Sequence, residues 1–220
     1  MSERVSPSAA YHAEQRDWPR YYDAVTGKPP RDTLLTALAL FDEDARRDKG
    51  RAPPAERLAI DLGCGEGRDT AELLRRGWHV LAIDGHPDAL DRLLARPDLV
   101  EHESRLVTRL AALEEVTLPP CTLLNCSFTL PFCHPDHFAS LWARIVESIA
   151  RGGRFAGQFF GERDTWASLP DRSHQTRAQV EALLTPFDVE FFKEDEEDKA
   201  DALGYAKHWH AFHAVARKSH

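Results

Sequence analysis

The sequence predicts an α/β fold with a mostly parallel, seven-stranded sheet and helices on both faces. Short apolar runs alternate with helix-periodic segments from residue 58 to about residue 160, which is typical of parallel strands joined by crossover helices. A glycine-rich turn directly follows the first apolar run, and two strand-like segments with no helix between them end the chain. We expect those last two segments to form an antiparallel hairpin at one edge of the sheet.

The unit from residue 58 to residue 84 organises the rest of the chain. A strand, a helix and a second strand are expected at 58–60, 68–76 and 79–83. The glycine turn lies between the first strand and the helix, and each strand is followed by a carboxylate, Asp61 and Asp84. Ligands of open α/β sheets bind at the carboxyl ends of the strands, so we expect a binding site at this edge.

The remaining elements follow from apolar periodicity. Helices are predicted at 32–46, 88–95, 136–150 and 176–184, and strands at 105–108, 122–126, 155–160, 189–193 and 207–216. Thr176 followed by Gln179 predicts a capping box at the start of the last helix. The acidic run at 194–198 is interpreted as a solvated loop between the last two strands, and the alternative is a gate that attracts cationic substrates.

Composition limits the classes of function. The 220 residues suffice for one α/β domain, and the formal net charge of −8 disfavours a general nucleic-acid binder. The chain has no apolar run near 18 residues, and its first residues contain no apolar signal core. We therefore expect no membrane association and a cytoplasmic protein. Four cysteines without a C-x-x-C pair are read as reduced thiols. The expected oligomeric state is a monomer or a homodimer.

The spacing of the glycine turn separates two kinds of nucleotide site. The sequence from Asp61 to Gly67 is Asp-Leu-Gly-Cys-Gly-Glu-Gly, whereas a dinucleotide fingerprint has G-x-G-x-x-G. This acid-x-Gly-x-Gly-x-Gly pattern after a strand resembles motif I of the class I methyltransferases that use S-adenosylmethionine (SAM). The resemblance implies a Rossmann-like sheet with an antiparallel seventh strand, and it extends over roughly residues 32–217.

The same resemblance implies the residues that hold the methyl donor. Asp84 takes the place of the acid that binds the ribose hydroxyls, and the residues after it cover the adenine. The family often has an acid after the third strand, but this chain has Ala112 at the aligned position. Backbone groups at Ala111 and Ala112, or Glu114, are expected to contact the adenine there. The implied cofactor-binding residues are Asp61, Gly63, Cys64, Gly65, Gly67, Asp84, Gly85, His86, Ala111, Ala112, Asn125, Ser127, Arg31 and Tyr22.

Residues 1–30 are expected to form an N-terminal extension before a single domain at 31–220. The extension is rich in aromatic residues between Tyr11 and Tyr22. By resemblance it closes over the cofactor as a lid, with Tyr21 or Tyr22 near the methyl group and Arg31 paired with the carboxylate of the donor. The alternative is that these aromatic side chains only anchor the extension to the sheet.

The acceptor is expected to bind beside the tip of the fourth strand. The predicted walls are apolar or aromatic, which suits a small organic molecule: Tyr21, Phe128, Phe132, Phe160 and Trp166. His134 is the candidate general base, since histidine titrates near neutral pH. On a strand, His208 and His210 share one face and His213 lies on the other, so we predict no metal site.

The predicted activity is therefore transfer of the SAM methyl group to a small nucleophile, with S-adenosylhomocysteine (SAH) as product. Within the class, the short motif looks similar to the small-molecule methyltransferases related to the tellurite- and thiopurine-resistance enzymes. Two alternatives stay open at this point. One is a nicotinamide-linked oxidoreductase, and the other is a SAM-binding protein without catalytic activity.

Overall fold

The computed structural model describes residues 16–47 and 57–219. The predicted lead-in at 2–10, Tyr11 and most of the predicted linker at 47–54 lie outside these ranges. Strands β1 to β7 are Leu58–Leu62, His79–Asp84, Leu106–Leu110, Cys121–Cys126, Ile149–Phe160, Phe187–Ala200 and Ala206–Lys218. Helices α1 to α6 are Trp18–Val25, Asp32–Arg47, Arg68–Arg75, Pro87–Leu94, Pro135–Ser148 and Arg177–Leu183. Short 3₁₀ segments are Pro97–Arg105, Leu130–Phe132 and Thr165–Ser168.

Within the described ranges, the seven strands form one sheet in the order β3-β2-β1-β4-β5-β7-β6. The pairs from β3 to β5 are parallel, and β7 is antiparallel to both of its neighbours. The predicted fold class is therefore confirmed. The strand order reverses direction between β1 and β4, which is the point where open α/β sheets form their ligand crevice.

Apolar side chains cover both faces of the sheet. Helices α2, α3 and α4 pack on one face through residues such as Leu38, Leu73 and Leu93. Helix α5 packs on the other face, where Trp142 contacts the rings of Phe155 and Phe159. Parallel strands covered on both faces are read in sequence as continuous apolar runs, which is why β1, β2 and β4 were predictable.

The acidic run does not form the predicted loop. It lies within β6 and pairs with β7, from Glu194 opposite Phe212 to Asp198 opposite His208. An extended strand sends alternate side chains to opposite faces, which separates like charges. Arg163 bonds Glu194 and Glu196 on one face, so part of the repulsion is offset by an adjacent cation.

Smaller differences occur at the ends of elements. The capping box between Thr176 and Gln179 is present as predicted. Strand β5 begins at Ile149, directly after α5, whereas the sequence placed its start at Phe155. The bulge between β4 and β5 explains this difference, because the Gly152–Gly153 pair turns within an already paired strand. None of the helices in the described part of the chain has the length and apolarity needed to cross a membrane.

Candidate methyl-donor and acceptor site

A cavity of about 770 Å³ opens at the carboxyl ends of the parallel strands. Its wall includes Leu62 at the end of β1, Gly63 after it, Asp84 at the end of β2 and Ser127 after β4. Ligand cavities of this kind typically measure about 300–1,000 Å³. The cavity therefore has room for a nucleoside-sized ligand together with a second small molecule.

The glycine turn is shaped by backbone conformations that favour glycine. Gly63, Gly65 and Gly67 have φ values of +73°, +54° and +85°, a region that side-chain-bearing residues rarely adopt. The backbone N–H groups of Gly63 and Cys64 both donate to the carbonyl of Ile83, at 2.7 and 3.0 Å. The turn is thus bound to the end of β2, and it brings bare backbone to the cavity wall.

The Asp84 carboxylate lies at the centre of one half of the cavity, which is lined by Gly63, Gly65, Asp84 and His86 and is called the cofactor half below. Oδ2 accepts a hydrogen bond from the Gly65 N–H at 2.9 Å, and Oδ1 accepts one from the His86 N–H at 2.9 Å. Burial raises the pKa of Asp84, and these two bonds oppose the increase. A carboxylate has about four acceptor positions, so each oxygen retains capacity for a ribose hydroxyl.

His86 provides an independent indication of a ligand beside Asp84. Its Nδ1 atom is buried, and it has no hydrogen-bond partner among the described residues. The ring lies on the cavity wall, 6.2 Å from the ring of Tyr22. Buried polar atoms are usually hydrogen-bonded, so this atom fits a site completed by the polar edge of an adenine.

Asp61 and Asn125 lie behind the cavity wall in a buried polar network. Asp61 accepts hydrogen bonds from Thr70 Oγ1 at 2.6 Å and from Asn125 Nδ2 at 2.9 Å. Burial and the nearby charge of Asp69 raise the pKa of Asp61. These groups support the turn and the tip of β4 without lining the cavity themselves.

Asp69 connects this network to the N-terminal segment and was missed by the sequence analysis. Its Oδ1 accepts the backbone N–H of Arg31 at 2.9 Å, and its Oδ2 accepts Ser127 Oγ at 2.7 Å and Asn125 Nδ2 at 3.0 Å. The only available signal was its place in the first turn of α3, where acids are common because they interact favourably with the helix dipole. Its bonding role depends on tertiary structure.

The predicted cofactor residues thus fall into two sets. Those that line the cavity are Gly63, Gly65, Asp84, Gly85, His86, Ala111, Ala112, Ser127, Arg31 and Tyr22. Those buried behind the lining are Asp61, Cys64, Gly67 and Asn125. In the second set, Gly67 has a packing role, because a Cβ there would meet the Leu93 side chain at 2.2 Å.

The N-terminal segment covers the cofactor half. Tyr22 is 3% exposed and lies over the turn, with its ring 3.5 Å from where a Cβ on Gly65 would be. Arg31 Nη2 is 3.4 Å from the hydroxyl of Tyr21. Arg68 also lines the cavity, and burial together with the charge of Arg31 lowers its pKa. Two guanidinium groups at one end of the cavity suit a carboxylate.

Aromatic side chains form the other half of the cavity. All five predicted acceptor residues line it, namely Tyr21, Phe128, Phe132, Phe160 and Trp166. Phe128 has a φ of +54°, and its N–H donates to Gln158 Oε1 at 2.9 Å, which fixes this residue at the tip of β4. Trp209 and His213 of β7 complete the wall and were not predicted as site residues.

A buried ion pair supports the aromatic wall. Lys207 Nζ donates to Asp164 Oδ1 at 2.6 Å and lies 3.7 Å from the Trp209 ring centroid and 4.4 Å from that of Trp166. Asp164 also accepts the backbone N–H groups of Trp166 and His210. Burial lowers the pKa of Lys207 to about 8, against the opposing effect of Asp164.

The structure does not support a general-base role for His134. The residue lies at the N-cap of α5, where its Nδ1 accepts the Asp136 N–H at 3.3 Å, and it is not part of the cavity wall. His208 and His210 bond Glu196 and Glu194 respectively, on the face of β7 opposite His213. Within 16–47 and 57–219, no cluster of potential metal ligands is found.

Comparisons with known proteins agree with the site. Residues 59–153 match the family model described as a methyltransferase domain. No curated protein sequence matches the chain. Among solved structures, the N-methyltransferase NodS from Bradyrhizobium japonicum WM9, in complex with SAH, has a TM-score of 0.66 at 13% identity, over 96% of this chain and 99% of NodS.

Two further structures share the fold. Magnesium protoporphyrin IX methyltransferase (ChlM) from Synechocystis PCC 6803, with bound SAH, has a TM-score of 0.64 at 12% identity, over 92% of this chain and 94% of ChlM. TehB from Haemophilus influenzae has a TM-score of 0.63 at 17% identity, over 82% of this chain, which spans 62% of the TehB chain. Residues 59–153, which carry the glycine turn and Asp84, are therefore similar to a methyltransferase domain, and the chain shares the fold of NodS, ChlM and TehB.

Proposed function

We propose that the protein transfers the methyl group of SAM to a small organic nucleophile bound against the aromatic wall. The observation that carries this proposal is the continuity of the cavity from Asp84 and the glycine turn to Phe128, Phe160 and Trp166. When bound, SAM supplies an activated methyl group on a positively charged sulfur. The task left to the protein is to align the two reactants and exclude water.

In this proposal each part of the cofactor half has one binding role. Asp84 binds the ribose hydroxyls, and His86 with the backbone of Ala111 and Ala112 surrounds the adenine. Arg31 binds the carboxylate of the methionine part, and we add Arg68 to this role because it lines the same end of the cavity. Tyr22 closes the cofactor half from above.

The acceptor half favours a small and partly aromatic molecule. Its wall is built from aromatic rings, and the net charge of −8 disfavours a polynucleotide. NodS is an N-methyltransferase and ChlM acts on magnesium protoporphyrin IX, which is in line with a small-molecule acceptor. We also propose a monomeric or homodimeric protein of the cytoplasm, with residues 1–30 as a lid on the domain at 31–220.

The test is a methyl-transfer screen with SAM that carries a labelled methyl group and a panel of small phenols, amines and thiols. Label should enter at least one acceptor, and SAH should accumulate in equal amount. The Asp84→Ala protein is the matched control for contaminating activity. SAH binding without transfer to any acceptor would favour the non-catalytic alternative, and binding of NADH would favour the oxidoreductase.

A further inference from the structure

His213 is a histidine on the cavity wall whose role is unassigned. It lies on β7 opposite Gln158 of β5, and its side chain is 20% exposed. Its ring centroid is 5.9 Å from that of Phe128. Phe128 follows the tip of β4 and also contacts the Arg31 guanidinium, so His213 borders the junction between the cofactor and acceptor halves.

The imidazole has one nitrogen beside an acid. Asp195 Oδ2 of β6 lies 3.4 Å from Nε2, and the other oxygen of the same carboxylate pairs with Lys193 Nζ at 2.7 Å. In the described part of the chain, no group hydrogen-bonds Nδ1 of His213. A carboxylate beside Nε2 favours the tautomer that carries the proton on Nε2 and leaves Nδ1 free to accept one.

Charged groups on two elements face this ring. They are Asp195 and Lys193 on β6, and Asp32 with Arg31 at the start of α2. Burial is the largest influence and lowers the pKa of His213, and Lys193 and Arg31 act in the same direction, while Asp195 and Asp32 oppose it. The lowered pKa favours the neutral imidazole, which is the form that can accept a proton.

We propose that His213 accepts the proton of the methyl acceptor, with Asp195 as the positioning residue, and that the acceptor is accordingly an N–H or O–H nucleophile on a flat apolar body. This inference rests on the proposed function. In the step, the lone pair of the acceptor forms the bond to the methyl carbon as the carbon–sulfur bond breaks and its electrons remain on sulfur. The acceptor proton moves to Nδ1, and the imidazolium later releases it to solvent.

The acidic face of β6 supports this choice of acceptor. Asp195 and Glu197 both line the cavity and lie on the same face of the sheet as His213 of β7. Negative charge there disfavours acceptors that arrive as anions, such as thiolates and oxyanions. A thiolate would also have no need of a base, whereas a phenol loses its proton during transfer and an ammonium group must lose one before its nitrogen can attack.

The decisive test is an NMR titration of the histidine ring protons in the SAH and SAM complexes, with His213 assigned by His213→Gln. The two ligands differ by one positive charge at the reacting sulfur. If His213 borders that sulfur, the titration midpoint of the His213 ring should lie about half a pH unit or more lower with SAM than with SAH. The reason is that a nearby positive charge disfavours the imidazolium. The exposed His137, which is outside the cavity wall, is the control, and its ring signals should not distinguish the two complexes.

A second measurement uses three acceptors with related bodies: 4-methylphenol, benzylamine and thiophenol. We expect methylation of the phenol or the amine, and loss of about 100-fold or more of that rate in His213→Gln. The same variant should bind SAH normally. His137→Gln should leave the rates unchanged.

The outcomes separate two failures. If SAH does not bind, the proposed function itself is wrong. If SAH binds but the His213 midpoint is the same in both complexes, His213 is too far from the reacting atoms and only the present inference is wrong. Methylation of thiophenol alone, or of none of the three acceptors, would overturn the assigned acceptor class.

Discussion

The guanidinium carbon of Arg31 lies 4.5 Å from the centroid of the Phe128 ring. This contact joins the residue proposed to bind the carboxylate of SAM to the residue at the tip of β4 that begins the acceptor wall. The Arg31 backbone is itself fixed by Asp69, which also bonds Ser127 after β4. The N-terminal segment and the sheet edge therefore form one connected site.

Arg31→Met should weaken SAH binding by about 10- to 100-fold, since a charge-assisted bond contributes roughly 1.5–3 kcal/mol. Arg31→Lys should recover only part of this affinity, because an ammonium group cannot present the planar fork to a carboxylate. Calorimetric titration measures both effects. Arg46→Met, at the exposed end of α2, is the control and should bind as the wild type does.

Asp84→Ala should reduce both SAH affinity and stability. The carboxylate accepts the N–H groups of Gly65 and His86, and their loss should lower the free energy of unfolding by about 1–3 kcal/mol. Urea unfolding without ligand separates this effect from binding. Asp88→Ala, on the neighbouring helix, is the control, because it removes a more exposed carboxylate. SAH affinity within twofold of the wild type in Asp84→Ala would contradict the ribose assignment.

Asp69→Ala should destabilise the protein by about 2–4 kcal/mol, because the Arg31 N–H loses its acceptor and the Asn125 amide and the Ser127 hydroxyl each lose one of two acceptors. Asp69→Asn should destabilise the protein less, since its amide oxygen can still accept a hydrogen bond. The midpoint of urea unfolding gives both values, and the exposed Asp91→Ala is the control. Equal stability of Asp69→Ala and Asp91→Ala would show that the network contributes nothing.

Lys207→Met should lower the free energy of unfolding by about 3–5 kcal/mol, because it leaves the buried Asp164 carboxylate without its cation. The double variant Lys207→Met with Asp164→Asn should be more stable than Lys207→Met alone, since it removes the uncompensated charge. Chemical unfolding of the two variants and of Asp164→Asn completes a double-mutant cycle. A cycle without coupling would contradict the ion pair.

The cysteines should resist alkylation in the folded protein. Burial is the main cause that raises the pKa of Cys121 to about 12 and of Cys133 to about 11, so at pH 8 both are protonated thiols. The folded chain therefore keeps protons that the unfolded chain releases above about pH 9. Stability from this source is present below pH 9 and is lost as the pH rises. Mass spectrometry after iodoacetamide treatment at pH 8, with and without urea, measures the protection.

The sequence was sufficient for most of the fold and for the centre of the cofactor half. Strands such as β1 and β2 are covered on both faces, so each contains a continuous apolar run, at 58–60 and 80–83, that makes its position clear. The place of Asp84 on the cavity wall was predictable, because one strand-turn-helix-strand unit links it to the glycine turn. Local rules govern both features, and they do not depend on contacts with distant segments.

The features that were missed depend on tertiary contacts. The run at 194–198 was read as a loop because its charge repels, but Arg163 and the pairing with β7 hold it as a strand. Asp69 resembled an ordinary helix-start acid. His213 was considered only as a metal ligand, and the face of β7 that meets the cavity is determined by packing of the sheet edge, which alternation alone does not reveal. His134 lies near the β4 tip in sequence but outside the cavity in space.

Calorimetric titration of the purified protein with SAH tests whether the glycine turn and Asp84 bind SAM, with NADH as the control ligand and Asp84→Ala as the control protein. We expect micromolar binding of SAH to the wild type, severe loss of that affinity in the variant and no binding of NADH. Binding of NADH, or no binding of SAH, would contradict the assignment of the glycine turn and Asp84 as a SAM site.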